Sequence, residues 1–209
     1  MLIYESIATE LRNAYQKKMV ITKKLANDLQ QSKDYYSTTQ SAIEEQKLQA
    51  AADAAIDELI SNLKQFVDGK FEAFDKEIES RYFADISSSD ANNLAVIGQS
   101  RLDLSEMAVY VKRYKGNPTV LRFLEKVAAG LNFQIFGLTY SRELDILKNI
   151  KSFAYECIAN LNRANESVAF NIGLQMMENR ITEYKELLAK EPTVSRREAL
   201  DGTELPAEN

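Results

Sequence analysis

The stretch Ala52–Phe66, ADAAIDELISNLKQF, indicates the fold most directly. Its apolar side chains recur in steps of three and four residues, at Ala52, Ile56, Leu59, Leu63 and Phe66. That spacing places them on one stripe of an α-helix, as two helices packed lengthwise against each other require. The stretch therefore predicts a long helix with one face that needs cover from another helix.

The helical pattern extends to both sides of this stretch. Residues 2–83 contain no proline and a single glycine, Gly69, which predicts a long N-terminal helical segment. The middle of the segment, residues 30–49, is polar and rich in Ser, Thr and Gln. One long helix and two helices joined near residues 37–41 are both compatible with this composition.

A second regular run predicts a helix that returns along the first. It starts at Ser141, has neither glycine nor proline before Gly173, and ends before Pro192. The apolar positions of this run are Leu147, Ile150, Ala154, Cys157 and Leu161. We expect one return helix over residues 140–190.

Signals for helix ends are dense between the two long segments. Asp103 followed by Glu106 forms a capping box that opens a helix. Gly116 occupies the position of a left-handed residue that ends this helix, Asn117 can cap the next one, and Pro118 suits its first position. Residues 87–136 are therefore predicted to form a compact head of short helices.

Together these patterns predict an elongated all-α protein. Two long coiled-coil-like helical segments, residues 2–83 and 140–190, flank the head, and residues 191–209 form a mobile tail. The first segment is longer than the return helix, so part of its stripe lacks a partner within the chain. We expect a second copy to cover it, in a homo-oligomer whose self-association seam contains Ile56, Leu59, Leu63, Phe66, Leu147, Ile150 and Leu161.

Composition and charge limit the function. The chain has 209 residues, of which 45% are hydrophobic and 27% charged, as is ordinary for a soluble protein. No apolar segment approaches the length of a membrane span, and no signal peptide is predicted, so we expect a cytoplasmic protein without membrane partners. The net charge of −5 disfavours nonspecific attraction to nucleic acid over the whole surface.

Residue types that carry chemistry are scarce. No histidine occurs, which excludes the Ser-His-Asp and Cys-His arrangements, and Cys157 is the only cysteine. Gly-rich phosphate-binding motifs are absent from the sequence. Acidic pairs such as Asp53 and Asp57 stand at helical spacing near lysines, as on a solvated helix face. We therefore expect no catalytic residues, no metal, no cofactor and no enzymatic activity.

One basic cluster stands out in this acidic chain. Within the head, six basic residues lie close together in the sequence, and we call them the basic head patch: Arg101, Lys112, Arg113, Lys115, Arg122 and Lys126. Two short helices joined by a glycine-containing turn resemble a helix-turn-helix, in which Thr119 and Arg122 would face the bases. An acidic surface of a partner protein is an equally suitable target.

Two sets of residues carry a resemblance to proteins of tailed bacteriophages. The segments Leu94–Gly98, Leu104–Glu106 and Tyr114–Arg122 resemble small helical proteins that these phages encode. The plan of the whole chain, acidic, helical and rich in Gln and Lys, resembles the phage capsid-assembly scaffolding proteins. The resemblance implies self-association and contact with a coat protein, in the host cytoplasm or the virion. In that family a basic C-terminal helix often makes the contact, but residues 193–209 are too acidic for it, so the basic head patch is the better candidate.

Three hypotheses about function follow. The first is a non-enzymatic helical structural protein that acts by self-association and by binding a partner protein, as a factor in phage particle assembly. The second is a nucleic-acid-associated protein that uses the basic head patch. The third is a phage-type inhibitor that occupies a host or defence protein with its acidic helices.

Overall fold

A computed structural model describes residues 3–161 and 167–197 of the chain. These residues form seven α-helices and two short β-strands, which confirms the all-α prediction. In chain order the elements are α1 (Ile3–Tyr35), α2 (Thr38–Tyr82), α3 (Ser88–Gln99), α4 (Leu104–Arg113), α5 (Pro118–Gly130), β1 (Phe133–Phe136), α6 (Tyr140–Leu161), α7 (Ser167–Ala189) and β2 (Thr193–Arg196).

The described residues divide into two compact units. The first, which we call the bundle, contains the residues up to Glu77 together with Asp145–Glu183. The second, which we call the head unit, contains Ile78–Leu144 together with the residues from Tyr184 onward. The head unit therefore includes the C-terminal turn of α2, the first turn of α6 and the last turns of α7, in addition to the short helices.

In the bundle, α1 and α2 are antiparallel neighbours. The ring centroids of Tyr4 and Phe74 are 4.6 Å apart, and near the other ends of the two helices the hydroxyl oxygens of Ser32 and Ser41 are 3.5 Å apart. The helical conformation is interrupted at residues 36–37. The N-terminal segment is therefore two helices, which is one of the two arrangements that the sequence left open.

The predicted single return helix is also two helices, which corrects the prediction for residues 140–190. The thiol of Cys157 in α6 lies 3.6 Å from the carbonyl oxygen of Phe170 in α7. In a continuous helix these residues would be about 20 Å apart, at about 1.5 Å rise per residue. The sequence of residues 162–166 contains no glycine or proline, so it carries no strong signal for the break. Those five residues lie outside the described part of the chain.

Both helix pairs contribute to the core of the bundle. The stacked rings of Tyr15 and Phe170 join α1 to α7, with 4.7 Å between their centroids, and those of Phe71 and Tyr155 join α2 to α6, with 6.3 Å between theirs. The fully buried positions of the bundle include Ile7, Leu11, Val67, Ile150, Ala154 and Met177. Each helix thus buries one apolar face against helices of the same chain.

In the head unit, α3, α4 and α5 surround a separate apolar core. Met107, Val120 and Leu124 are fully buried in it, and Leu94 and Ile97 of α3 close one side. These helices are short, and each buries only the side chains on one face, as expected for amphipathic helices packed around one small core.

The corner between α4 and α5 is formed largely as predicted. The capping box of Asp103 and Glu106 is present: the backbone nitrogen of Glu106 is 2.8 Å from Oδ1 of Asp103, and the backbone nitrogen of Asp103 is 2.9 Å from Oε2 of Glu106. The side chain of Asn117 accepts a hydrogen bond of 3.1 Å from the N–H of Val120, and α5 starts at a proline. The prediction for Gly116 was wrong. Among the described glycines only Gly137 has a positive φ, and α4 ends instead through the N–H of Tyr114, which donates to its own helix.

Two strands in the head unit were missed, and one of them corrects the prediction of a mobile tail. β1 pairs antiparallel with β2, in a register that sets Phe133 opposite Arg196. Ile135 is buried against the core, and Val194 packs beside it. The tail is therefore anchored as far as Arg196, because its few apolar side chains complete the core of the head unit. Residues 198–209 lie outside the described part.

Candidate interaction surfaces

The basic head patch is only partly an exposed surface. Arg101, Lys112, Arg113, Lys115 and Lys126 are exposed, and Arg122 is half-buried. The exposed five stand on the segment before α4, on α4, on the turn after it and on the outer side of α5. The patch thus presents positive charge from two helices and two connecting segments of one unit.

Arg122 is engaged within the head unit. Its Nε donates a hydrogen bond of 3.0 Å to the carbonyl oxygen of Tyr82, at the C-terminus of α2. Its guanidinium carbon lies 3.9 Å from the centroid of the Phe83 ring. Thr119, one turn earlier, donates a bond of 3.2 Å to the carbonyl oxygen of Arg81. The first turn of α5 therefore caps the end of α2, where free carbonyls attract donors and positive charge.

Two exposed members of the patch also have partners. The ammonium of Lys115 forms an ion pair with Glu191, and this hydrogen bond, with a smaller contribution from Lys112, lowers the pKa of the glutamate. The guanidinium carbon of Arg113 lies 5.4 Å from the centroid of the Tyr114 ring. Exposed contacts of this kind are weak and exchange readily with contacts to a binding partner.

A buried ionic cluster in the head unit escaped the sequence analysis. Glu143 of α6 is fully buried, and its Oε1 accepts hydrogen bonds of 2.6 Å from Arg81 and 2.7 Å from the hydroxyl of Tyr184. Burial and the hydrogen bond to Glu143 raise the pKa of Tyr184. Burial is the largest single effect on Arg81 and lowers its pKa, but the attraction of Glu143 and the contributions of Tyr184 and Tyr82 together outweigh it, so the net shift is upward.

This cluster joins the ends of α2, α6 and α7. Its opposite charges contact each other, so it acts as a structural ion pair, while Oε2 of Glu143 and Nε of Arg81 are buried without a hydrogen-bond partner among the described residues. A sequence signal was present. The apolar stripe of α6, followed back from Leu147 by four residues, reaches the acidic Glu143, and an acidic side chain in a buried stripe requires a buried partner.

Cys157 lies in the core of the bundle. Its side chain is fully buried, and burial, aided by the nearby Glu156 and Glu178, raises the pKa of the thiol to about 12. A thiol is nucleophilic only as the thiolate, so this one is inert at neutral pH. The cysteine acts as a small core residue, as the sequence indicated.

Most of the predicted self-association seam is occupied within one chain, which corrects that prediction. Leu63, Leu147, Ile150 and Leu161 are buried in the bundle core, because α1, α2, α6 and α7 cover one another. These four side chains are not available to a second copy. Ile56 and Leu59 are half-buried, and Phe66 is exposed.

Clefts lie on two faces of the α1–α2 pair. One, of about 370 Å³, is bordered by Lys18, Leu25, Ile56 and Leu161, and burial lowers the pKa of Lys18. The other, of about 650 Å³, we call the outer groove. Its floor is apolar, and its lining comes from α1 and α2 alone, including Lys17, Val20, Ile21, Ala55, Glu58 and Leu59.

A further apolar surface lies on α7. Val168, Ile172 and Met176 are exposed and follow one another at four-residue spacing. Residues four apart lie on the same side of a helix, so the three form one stripe. We call it the α7 stripe.

Residues 3–161 and 167–197 contain no group of three or more His, Cys, Asp or Glu side chains placed to hold a metal ion. In the same residues no helix has both the length and the apolar character that crossing a bilayer requires. Comparisons with protein-family models, with curated protein sequences and with solved structures found no match to this chain.

Proposed function

We propose that this chain is a non-enzymatic helical protein that acts by self-association and by binding a partner protein. The observation that carries the proposal is the exposure of grouped apolar side chains on the bundle, in the outer groove and along the α7 stripe. Single exposed apolar residues are ordinary, but grouped ones favour contact with another protein. The buried thiol of Cys157 and the engaged carboxylate of Glu143 agree with this function, because both serve packing.

The most concrete form of the proposal is a phage particle-assembly factor, of scaffolding or morphogenesis type. Its support is the resemblance described above, together with the exposed basic residues of the head unit, which suit an acidic face of a coat protein. The test mixes the purified chain with the coat protein encoded in the same genome and follows shell formation by electron microscopy. Closed shells of uniform size are expected with the chain, and irregular or no shells without it.

A matched pair of variants makes this experiment specific to the patch. Lys112→Glu reverses an exposed charge of the patch, whereas Lys64→Glu reverses an exposed charge on α2. We expect the first to reduce the yield of shells and the second to leave it unchanged. Shell yield and size that do not respond to the chain at all would eliminate the assembly function.

Nucleic-acid binding is the second candidate, supported by the five exposed basic residues of the patch. It does not fit the usual helix-turn-helix mode, because Thr119 and Arg122 cap α2. The remaining mode is contact with phosphates. Such binding weakens steeply with salt. Arg113→Glu tests it better than Arg122→Glu, since the second change also removes a cap. Absence of any mobility shift with DNA or RNA at low salt would dismiss this function.

A further inference from the structure

We propose that the outer groove binds the outer groove of a second copy of this chain, about a two-fold axis that runs along the groove. The proposal rests on the self-association in the proposed function and names the surface that produces it. It replaces the predicted seam, most of which is buried within one chain.

The floor of the groove provides the apolar part of the contact. Val20 of α1 is 68% exposed, and Ile21 and Leu59 are half-buried beside it. In helix packing generally, an exposed side chain such as that of Val20 on α1 inserts between the side chains of a facing helix. Because α1 and α2 are antiparallel, Asn13 and Asn62 stand together at one end of the groove, where they give the apolar floor a polar border.

The two walls of the groove carry opposite charge. Among the residues that line the groove, the charged ones are Lys17 and Glu58, and the ammonium of Lys17 also lies 3.9 Å from the carboxylate of Glu10 in its own helix. Lys17 lines the groove on the α1 side, and Glu58 lines it on the α2 side. A surface with one positive and one negative wall is complementary to itself when it is turned over.

The positions of these charges select the symmetry axis. The contacts of Tyr4 with Phe74 and of Ser32 with Ser41 fix the antiparallel register of α1 and α2. In that register Lys17 and Glu58 lie at about the same height on opposite walls. A two-fold axis along the groove places α1 of each copy on α2 of the other, and thus Lys17 on Glu58 twice.

An axis across the groove gives the opposite result. It would place α1 on α1 and α2 on α2, so that like charges face each other. The charge pattern therefore favours a dimer contact of four helices in which each helix is antiparallel to its neighbours. A foreign helix would have to bring an acidic side to α1 and a basic side to α2, and a second copy provides both.

The experiment measures molar mass by light scattering coupled to size exclusion. The wild-type chain is expected at twice 23.7 kDa at about 100 μM, a concentration far above a micromolar dissociation constant. Lys17→Glu makes both walls acidic and Glu58→Lys makes both basic, so each variant alone is expected to weaken the dimer about tenfold or more. The effect is measured at about 5 μM, where the wild type remains mainly dimeric and each variant alone is expected to approach the mass of one chain. An equimolar mixture of the two is expected to form a heterodimer, because every facing pair is then opposite in charge.

Two further variants test the floor of the groove. Val20→Asp is expected to give the mass of one chain. Ile172→Asp, on the α7 stripe, is the matched control and is expected to keep the mass of two. Circular dichroism verifies that each variant remains helical.

The outcomes separate this inference from the proposed function. A wild-type chain of single mass at about 100 μM overturns both the groove contact and self-association. A wild-type dimer that Ile172→Asp breaks and Val20→Asp does not break overturns the groove alone. Charge variants that dissociate singly but do not combine when mixed overturn the two-fold arrangement and favour a foreign helix as occupant.

Discussion

Replacing glycine by alanine at two positions of the bundle helices is expected to have opposite effects on the free energy of unfolding. Gly69 lies inside α2, and a Cβ built on it meets no atom within 4 Å. Gly173 lies inside α7, where a Cβ would stand 3.1 Å from the thiol sulfur of Cys157 and 3.9 Å from the carbonyl oxygen of Phe153. One position is open and the other is in close contact with α6.

The magnitudes follow from these distances. Alanine is favoured over glycine in a helix interior by about 0.8–1.0 kcal/mol, so Gly69→Ala is expected to raise the free energy of unfolding by about that amount. Gly173→Ala has the same advantage, but its Cβ forces the sulfur of Cys157 to move, and such overpacking costs about 1–3 kcal/mol. The two variants should therefore differ by about 1–3 kcal/mol, with Gly173→Ala the less stable.

A double-mutant cycle assigns the difference to the predicted contact. In a Cys157→Ala background the sulfur is gone, so Gly173→Ala should recover most of the gain that Gly69→Ala shows in the wild type. The free energies come from urea denaturation followed by circular dichroism at constant pH. Equal stabilisation by Gly69→Ala and Gly173→Ala, or an effect of Gly173→Ala that Cys157→Ala leaves unchanged, would refute the packing argument.

Three other predictions concern buried or strained positions. Glu143→Gln removes the negative partner of a buried ion pair and should lower the free energy of unfolding, measured by urea denaturation, by about 3–5 kcal/mol. Tyr184→Phe removes one hydrogen bond to a charged group and should lower it by about 1.5–3 kcal/mol. A decrease below about 1 kcal/mol for Glu143→Gln would contradict a buried pair. The pKa of Cys157 is raised from its ordinary value of 9.0 to about 12, so the folded chain holds this proton more tightly than the unfolded chain does. Its contribution to stability is complete below pH 9 and is lost as the pH rises from about 9 to 12. The carbon-13 chemical shift of the Cβ of Cys157, which is the only cysteine, should change only near the upper limit, and a change that is complete at pH 10 in the folded chain would show that the thiol is not buried. Gly137 has φ of +105°, and a Cβ there would stand 3.2 Å from the backbone of Pro192. Gly137→Ala should therefore lower the melting temperature by several degrees, whereas Gly130→Ala, where a Cβ meets no atom within 4 Å, should change it little. Equal effects of the two substitutions would argue against the strand pairing.

The sequence predicted the features that depend on neighbouring residues. The helical content follows from apolar spacing and from the scarcity of glycine and proline, which act within a few residues. The capping box at Asp103 and the Asn117–Pro118 start of α5 are also local, and the structure has both. Gly116 fits the same logic less well, because a helix can end by a tight turn without a left-handed residue.

Features that depend on distant residues were not predictable in this way. β1 pairs with β2 across more than fifty residues, and neither four-residue strand has a pattern that specifies the other. An apolar stripe likewise shows that a helix needs cover, but not which helix provides it. This is why Leu63 and Leu161 were assigned to a seam between copies, although both are buried within one chain. The break between α6 and α7 has the same origin, since one continuous stripe serves two helices folded on each other.

The basic head patch shows the limit of counting charges along a chain. Sequence treats Arg122 and Lys112 alike, but the first binds the carbonyl of Tyr82 and stacks on Phe83, and the second is exposed. Reversing Arg122 would remove a cap from α2, so a loss of binding could not be separated from a loss of folding. Reversing Lys112 changes the surface charge and leaves the packing intact. A partner that binds the head unit through charge must therefore bind the Lys112→Glu variant more weakly, although that variant is as stable as the wild type. If only Arg122→Glu weakens binding, the loss comes from the damaged packing between α2 and α5 and not from the surface charge.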